Sequence, residues 1–292
     1  MNATKLTGGL LGRTQERARE WGVVVEDAFE TESSAIAFGK RDHLPVVLKV
    51  VKQEGDEWLS GEVLEALDGN GVVRVYEHAP GALLLERLQP GHSLADMALK
   101  GNDEGATEIL GDVIRQMSAM KIPTACPTVQ NWGRGFARYV ATRDDSIPGS
   151  LVEAAQRVFA ALCDSQRAPR LLHGDLQHYN VLFDLHRGWV AIDPKGVIGE
   201  IEYEIGALLR NPIEQPDLFL SEATIQRRVQ QLSAKLKLDA RRALAWGFAQ
   251  AVLSAIWEIE DGFEVDSANP CLRLANVIQA MMGSEDGSVL IL

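Results

Sequence analysis

The stretch HGDLQHYN, residues 173–180, sets a carboxylate, Asp175, five residues before a carboxamide, Asn180, just ahead of an apolar run. That run continues as VLFDLHRGWVAID, which reads as a hairpin: a strand over 181–183, a turn over 184–188 and a return strand over 189–192. A hairpin brings the chain back on itself, so Asp193 at its end returns toward Asn180 at its start. A carboxylate and an amide oxygen suit magnesium, which keeps several waters and takes phosphate oxygens as well. Asp175, set apart from that pair, is placed to accept a proton from a substrate hydroxyl. The plainer alternative is a polar turn whose side chains bond their own backbone.

These residues need elements to hold them. Short β-branched runs over 22–28, 34–38, 46–51, 72–77 and 82–87 predict strands separated by turn chemistry. Between the third and fourth, residues 56–71 place Leu59, Val63, Leu64 and Leu67 at helical spacing, with glycines to end the helix. After QPGHS at 89–93 the pattern becomes helical. Ile109, Leu110, Val113, Ile114 and Met117 share a face, and further helices are predicted over 149–165 and 241–260. The expectation is an α+β fold of two lobes: β-rich over 1–90, mainly helical over 91–292, with a ligand cleft between them.

At 292 residues, 46% hydrophobic and 24% charged, the chain has the composition of a soluble globular protein. No apolar run approaches the roughly 20 residues that span a bilayer, and the first twenty residues lack the apolar core of a secretory signal. Cys126, Cys163 and Cys271 are odd in number and far apart, which fits a reducing cytoplasm better than a disulfide framework or a zinc site. The net charge of −12 argues against nucleic acid and anionic membranes as partners and favours a small cationic one.

His173, Gly174, Asp175 and Asn180 resemble the H-G-D-x-x-x-x-N catalytic loop of the aminoglycoside phosphotransferases, small-molecule relatives of protein kinases. LLHGDLQHYNVL, GWVAIDPKG and YEIGALLRNP together are similar to the branch of streptomycin 6-phosphotransferases and hydroxyurea-resistance kinases. The resemblance implies a protein-kinase-like fold and ATP- or GTP-dependent, Mg2+-assisted phosphorylation of a hydroxyl on a small molecule. Streptomycin-type aminoglycosides, and so antibiotic resistance, come first; hydroxyurea, another metabolite or a non-catalytic nucleotide-binding scaffold are the alternatives. Asp175 is then the catalytic base, and Asn180 and Asp193 the metal ligands. Lys49 would hold the α/β-phosphates and Glu62 pair with it, with Glu57 and Glu65 as fallbacks. The segment 84–88, including Glu86 and Leu88, would meet the adenine edge.

The chain departs from the kinase pattern in places. No G-x-G-x-x-G lies between the first strands; Thr31, Glu32, Ser33 and Ser34 fill that turn, so Ser33 and Ser34 become the phosphate-loop candidates. Pro194 stands where kinases have the Phe of D-F-G. Gln177 and Tyr179 replace the histidine and glycine frequent in relatives, and Gln177 and His178 flank the base as candidate substrate contacts. His173 is read as a brace for the loop. Lys195 is a candidate for the transferring phosphate or for Glu200. Trp257, Glu258 and Glu260 are candidates for an acidic wall that receives a cation, or for a plain solvated helix end.

Overall fold

A computed structural model of the chain describes residues 8–55, 57–58, 60–119 and 122–284. The chain divides into two units. In the first, an antiparallel sheet runs β1 (Val24–Glu30), β2 (Ser34–Arg41), β3 (Leu44–Val51), β4 (Val75–Ala79) and β5 (Ala82–Glu86) in the order β1-β2-β3-β5-β4. The two-residue period of a strand sorts its side chains to opposite faces. Ala35, Ala37, Val46, Leu48, Val50, Ala82 and Leu84 form a buried core on one face. Ile36, Phe38, Val47, Lys49 and Leu85, their alternates, line a cavity on the other.

A helix that periodicity did not predict, α1 (Gly8–Glu20), covers the core face through Leu10 and Ala18. Its Arg13 guanidinium donates to the carbonyls of Val51 (2.8 Å) and Lys52 (3.0 Å), satisfying the end of β3. The expected inserted helix is α2 (Ser60–Leu67). The strand expected over 72–77 begins only at Val75, because Val72 bridges in parallel to Ala191 of the hairpin.

The expected boundary after residue 90 is corrected in a specific way. The first unit comprises Met1–His92, Gln116–Cys126 and Leu182–Gly196, so the hairpin 181–192 belongs largely with the sheet and the second lobe is not a continuous 91–292 segment. Arg187, in the hairpin turn, shows why. Its guanidinium pairs with Glu86 and donates to the carbonyls of Gly69 (2.6 Å) and Val72 (3.1 Å). Asp184 adds a bond from the Gln89 N–H at 2.9 Å.

The second unit is helical around the 21-residue helix Ala240–Glu260, capped by the Asp239 carboxylate at its N-terminus. Phe159, Tyr203 and Trp246 meet edge-on with centroids 5.1–6.3 Å apart, which fixes this helix against Gly149–Asp164 and the turn Ile201–Glu204. Glu200, fully buried, accepts from Arg242 Nε at 2.5 Å and from the Trp246 indole N–H. Among the described residues no helix is long and apolar enough to cross a membrane.

Candidate active site

The first unit encloses a cavity of about 1030 Å³ between the polar turn 31–33, the open face of the sheet and the hairpin residues Leu182, Ile192 and Asp193. Lys49 projects into it from β3 and is 6% exposed. Its ammonium lies 2.9 Å from both Glu57 Oε2 and Asp193 Oδ1. Burial pushes the Lys49 pKa down, but the two carboxylates outweigh it and the net shift is upward, so the amine stays charged. Asp193 holds a left-handed backbone conformation, φ 56°, that a residue with a Cβ adopts only under constraint.

The partner of Lys49 is therefore Glu57, and Glu62 is corrected. Glu57 sits in the turn before α2, whereas Glu62, inside the helix, lies beside Cys126, whose thiol burial and the Glu62 charge push up to about 11. Ser33 and Ser34 each place a hydroxyl 3.4 Å from an oxygen of Glu57. The turn that replaces a glycine loop thus braces the Lys49 partner. Ser33 also lines the cavity, but Ser34 is fully buried, which removes it as a phosphate contact.

Glu86 and Leu88 line the cavity as expected. The Glu86 carboxylate, however, is taken by Arg187 and the Arg74 N–H (2.8 Å), and its own N–H donates to the Arg74 carbonyl (3.0 Å). Neither group is on offer to a nucleotide, which takes the Glu86 side chain and N–H out of the expected adenine contact, while Arg87 and Leu88 also line the cavity.

In the second unit the strand Arg170–Leu172 delivers the loop that carries Asp175. Gly174 has φ 84°, and a Cβ there would stand 2.8 Å from the Trp132 ring, so glycine is required. Beneath the loop the buried carboxylate of Glu204 accepts the N–H groups of His173 (2.7 Å) and Gly174 (3.0 Å). Burial raises its pKa to about 7 despite these bonds and one from the Leu176 backbone. His173 Nδ1 accepts the Asp175 N–H at 3.3 Å, the bracing contact expected of it.

Asn180 Nδ2 donates to the Asp175 carbonyl (2.9 Å) and lies 3.4 Å from Asp175 Oδ2. This commits the amide nitrogen to the loop and leaves the amide oxygen as the atom for a cation. Taken singly, the Asn180 amide oxygen in the second unit and the Asp193 carboxylate in the first are hard oxygen donors, which suit Mg2+ better than a transition metal. On the other oxygen of Asp175, Arg210 Nη2 approaches to 3.4 Å.

Two loop candidates are corrected. His178 is fully buried, with Nε2 3.8 Å from Asp103, and burial pushes its pKa down to about 3, so it is a neutral interior residue and touches no substrate. Gln177 Oε1 accepts the Tyr179 N–H at 2.8 Å and caps the turn His178–Asn180, so its amide oxygen is spent on the loop. Tyr179 Oη in turn donates to Glu214.

Trp257 packs edge-on against Trp132 at 5.5 Å. Glu258 accepts from Asn269 Nδ2 (2.6 Å) and the Cys271 thiol (3.3 Å). Burial pushes that thiol up to about 12. Arg138 takes both oxygens of Glu260, at 2.8 and 2.9 Å. Lys195 is half-buried after Asp193 and Pro194, and the oxygens of Glu200, its proposed partner, go to Arg242, Trp246 and the Arg167 N–H. Glu57, Glu204 and Arg210 are the residues that motif reading undervalued or missed.

Residues 21–262 match the family described as aminoglycoside/hydroxyurea antibiotic resistance kinase. A streptomycin 3''-kinase of Klebsiella pneumoniae is 34% identical over 237 residues, covering 80% of this chain and 86% of that protein. A hydroxyurea phosphotransferase of Kitasatospora aureofaciens is 30% identical over 270 residues, covering 87% and 74%. Among solved structures, the aminoglycoside phosphotransferase APH(4)-Ia, in a ternary complex with AMP-PNP and hygromycin B, superposes with a TM-score of 0.65 at 17% identity over 92% of this chain and 99% of that one. The choline kinase LicA of Streptococcus pneumoniae superposes at 0.62 with 14% identity over 92% and 98%. The fold is that of the protein-kinase-like phosphotransferases.

Proposed function

This chain belongs to the aminoglycoside/hydroxyurea antibiotic resistance kinase family, and we propose that it phosphorylates a hydroxyl of a streptomycin-type aminoglycoside with ATP. The observation that carries this reading is the Asp175 carboxylate, held by Asn180 on one oxygen and by Arg210 on the other. Its loop hangs from Glu204.

In the mechanism Lys49, kept charged and positioned by Glu57, holds the nucleotide phosphates against the cavity of the first unit. The backbone of Arg87 and Leu88 takes the adenine edge. Asp193 of the first unit and Asn180 of the second would each offer an oxygen to Mg2+. Such an ion would supply positive charge to offset that of the nucleotide phosphates. Asp175 orients the acceptor hydroxyl and takes its proton as the phosphoryl group is transferred. Little covalent work falls to the protein in such a transfer, so positioning and charge supply most of the rate. The net charge of −12 supports a cationic acceptor. The cytoplasm supplies ATP, magnesium and the reducing conditions that suit three unpaired cysteines.

The relative that acts on hydroxyurea supports a second acceptor, a much smaller N-hydroxyl compound. ATP consumption measured with streptomycin, other aminoglycosides and hydroxyurea separates the two. Asp175→Asn abolishes turnover with the preferred acceptor and leaves Mg-ATP binding within about twofold, since truncating a base mainly removes transition-state stabilisation. Full activity in that variant refutes the assignment.

A further inference from the structure

Arg210 ends the helix Ile205–Leu209, and its one side-chain hydrogen bond among the described residues is to Asp175 Oδ1. The other end of the fork, Nη1, is buried with no hydrogen-bond partner among the described residues. A guanidinium kept for stability is normally saturated with bonds, because a buried unspent N–H costs free energy. Arg228 in the same unit is the contrast. Fully buried, it lies over the Phe219 ring at 5.0 Å and is gripped by Asp103 through Nε (3.0 Å) and Nη2 (2.6 Å).

The remaining nitrogen of Arg228, Nη1, donates to the carbonyls of Leu208 (3.1 Å), Leu209 (3.4 Å) and Asn211 (2.8 Å). These three residues bracket position 210 on both sides. The saturated arginine therefore fixes the backbone from which the unsaturated one reaches Asp175. Asp103, the anchor of Arg228, is half-buried and lies 3.8 Å from His178 in the Asp175 loop.

We propose that Arg210 is a positioning residue for phosphoryl transfer: with Asn180 it fixes the plane of the Asp175 carboxylate, and Arg228 and Asp103 aim it. A carboxylate free to rotate would spend part of its time with neither oxygen directed at the acceptor hydroxyl, and misplacement of this kind slows the chemical step more than it weakens binding. The inference rests on the reading of Asp175 as the base.

The test is carried out on the full chain with Arg210→Ala, Arg210→Gln and Arg210→Lys. Both transfer to streptomycin and hydrolysis of ATP by water are measured, together with Mg-ATP affinity and the melting temperature. We expect kcat to fall about 100-fold in Arg210→Ala, with KM and ATP affinity within about twofold of wild type and the melting temperature little changed. Arg210→Lys, which restores charge but not the fork, recovers about tenfold of that loss. Wild-type kcat in Arg210→Gln overturns the proposal. So does a lowered melting temperature with Arg210→Lys as inactive as Arg210→Ala, which is the pattern of a purely structural residue. If Arg210→Ala fails to fold, the glutamine and lysine variants decide alone. Wild-type inactivity toward streptomycin refutes the substrate reading instead, and the Arg210 comparison is then settled on ATP hydrolysis.

Discussion

Replacing Glu204 by Gln puts the anchor of the Asp175 loop to a quantitative test. The carboxyl is fully buried and accepts the backbone N–H groups of His173 and Gly174 at 2.7 and 3.0 Å. Burial moves its pKa from the ordinary 4.5 to about 7. Ionising a group so displaced costs the folded state about 3 kcal/mol relative to the unfolded chain, at 1.36 kcal/mol per tenfold in proton affinity. The folded chain holds the extra proton between pH 4.5 and 7. The contribution of Glu204 is therefore greatest below pH 4.5 and is lost as pH rises through 7. Glutamine does not titrate. Urea denaturation of wild type and Glu204→Gln at pH 5 and pH 8 should give a stability difference, wild type minus variant, that falls by about 2–3 kcal/mol between the two pH values. At pH 5 the variant is the less stable, because its amide NH2 faces a backbone N–H that loses its acceptor, a defect of about 1–3 kcal/mol. Parallel stability curves at the two pH values would refute both the burial argument and the placement of the carboxylate under the loop.

Glu57→Gln weakens Mg-ATP binding about tenfold by removing one of the two charges on Lys49, whereas Glu62→Gln changes it less than about twofold; isothermal titration calorimetry distinguishes them, and the reverse order restores Glu62 as partner. Gly174→Ala forces a Cβ into the left-handed region and to 2.8 Å from the Trp132 ring, which should lower stability by about 2 kcal/mol in urea and reduce kcat by displacing Asp175.

What could be read from the sequence followed the range of each interaction along the chain. Asp175 and Asn180 are five residues apart and bond to each other, so their spacing alone betrayed the loop, and the hairpin that carries Asp193 is equally local. Lys49 was legible from its place mid-strand in an apolar run. Its partner was not, because Glu57 reaches it from the turn before α2, where helix phase says nothing, and its position is set by Ser33 and Ser34, more than twenty residues upstream. The burial of His178, a candidate substrate contact by its place in the loop, is not legible locally because the groups that enclose it, Asp103 and Arg228, are 75 and 50 residues distant. Glu204 supports the loop from about thirty residues downstream, and within YEIGALLRNP nothing separates it from a helix-surface glutamate. Helix α1, GGLLGRTQERARE, escaped notice because it starts on a pair of glycines and presents few apolar residues.

The division of the chain also bears on how the protein is made. The wall of the nucleotide cavity supplied by Leu182, Ile192 and Asp193 is synthesised some ninety residues after the sheet it completes. Until that stretch leaves the ribosome, Lys49 lacks one of its two counter-charges and Glu86 lacks Arg187. The sheet must therefore wait, partly finished, while most of the helical unit's early segments emerge. A fragment ending at His92 is accordingly not a minimal ATP-binding domain, and a ribosome stalled before Gly196 would present a nascent chain that has every strand of the sheet but an incomplete cavity.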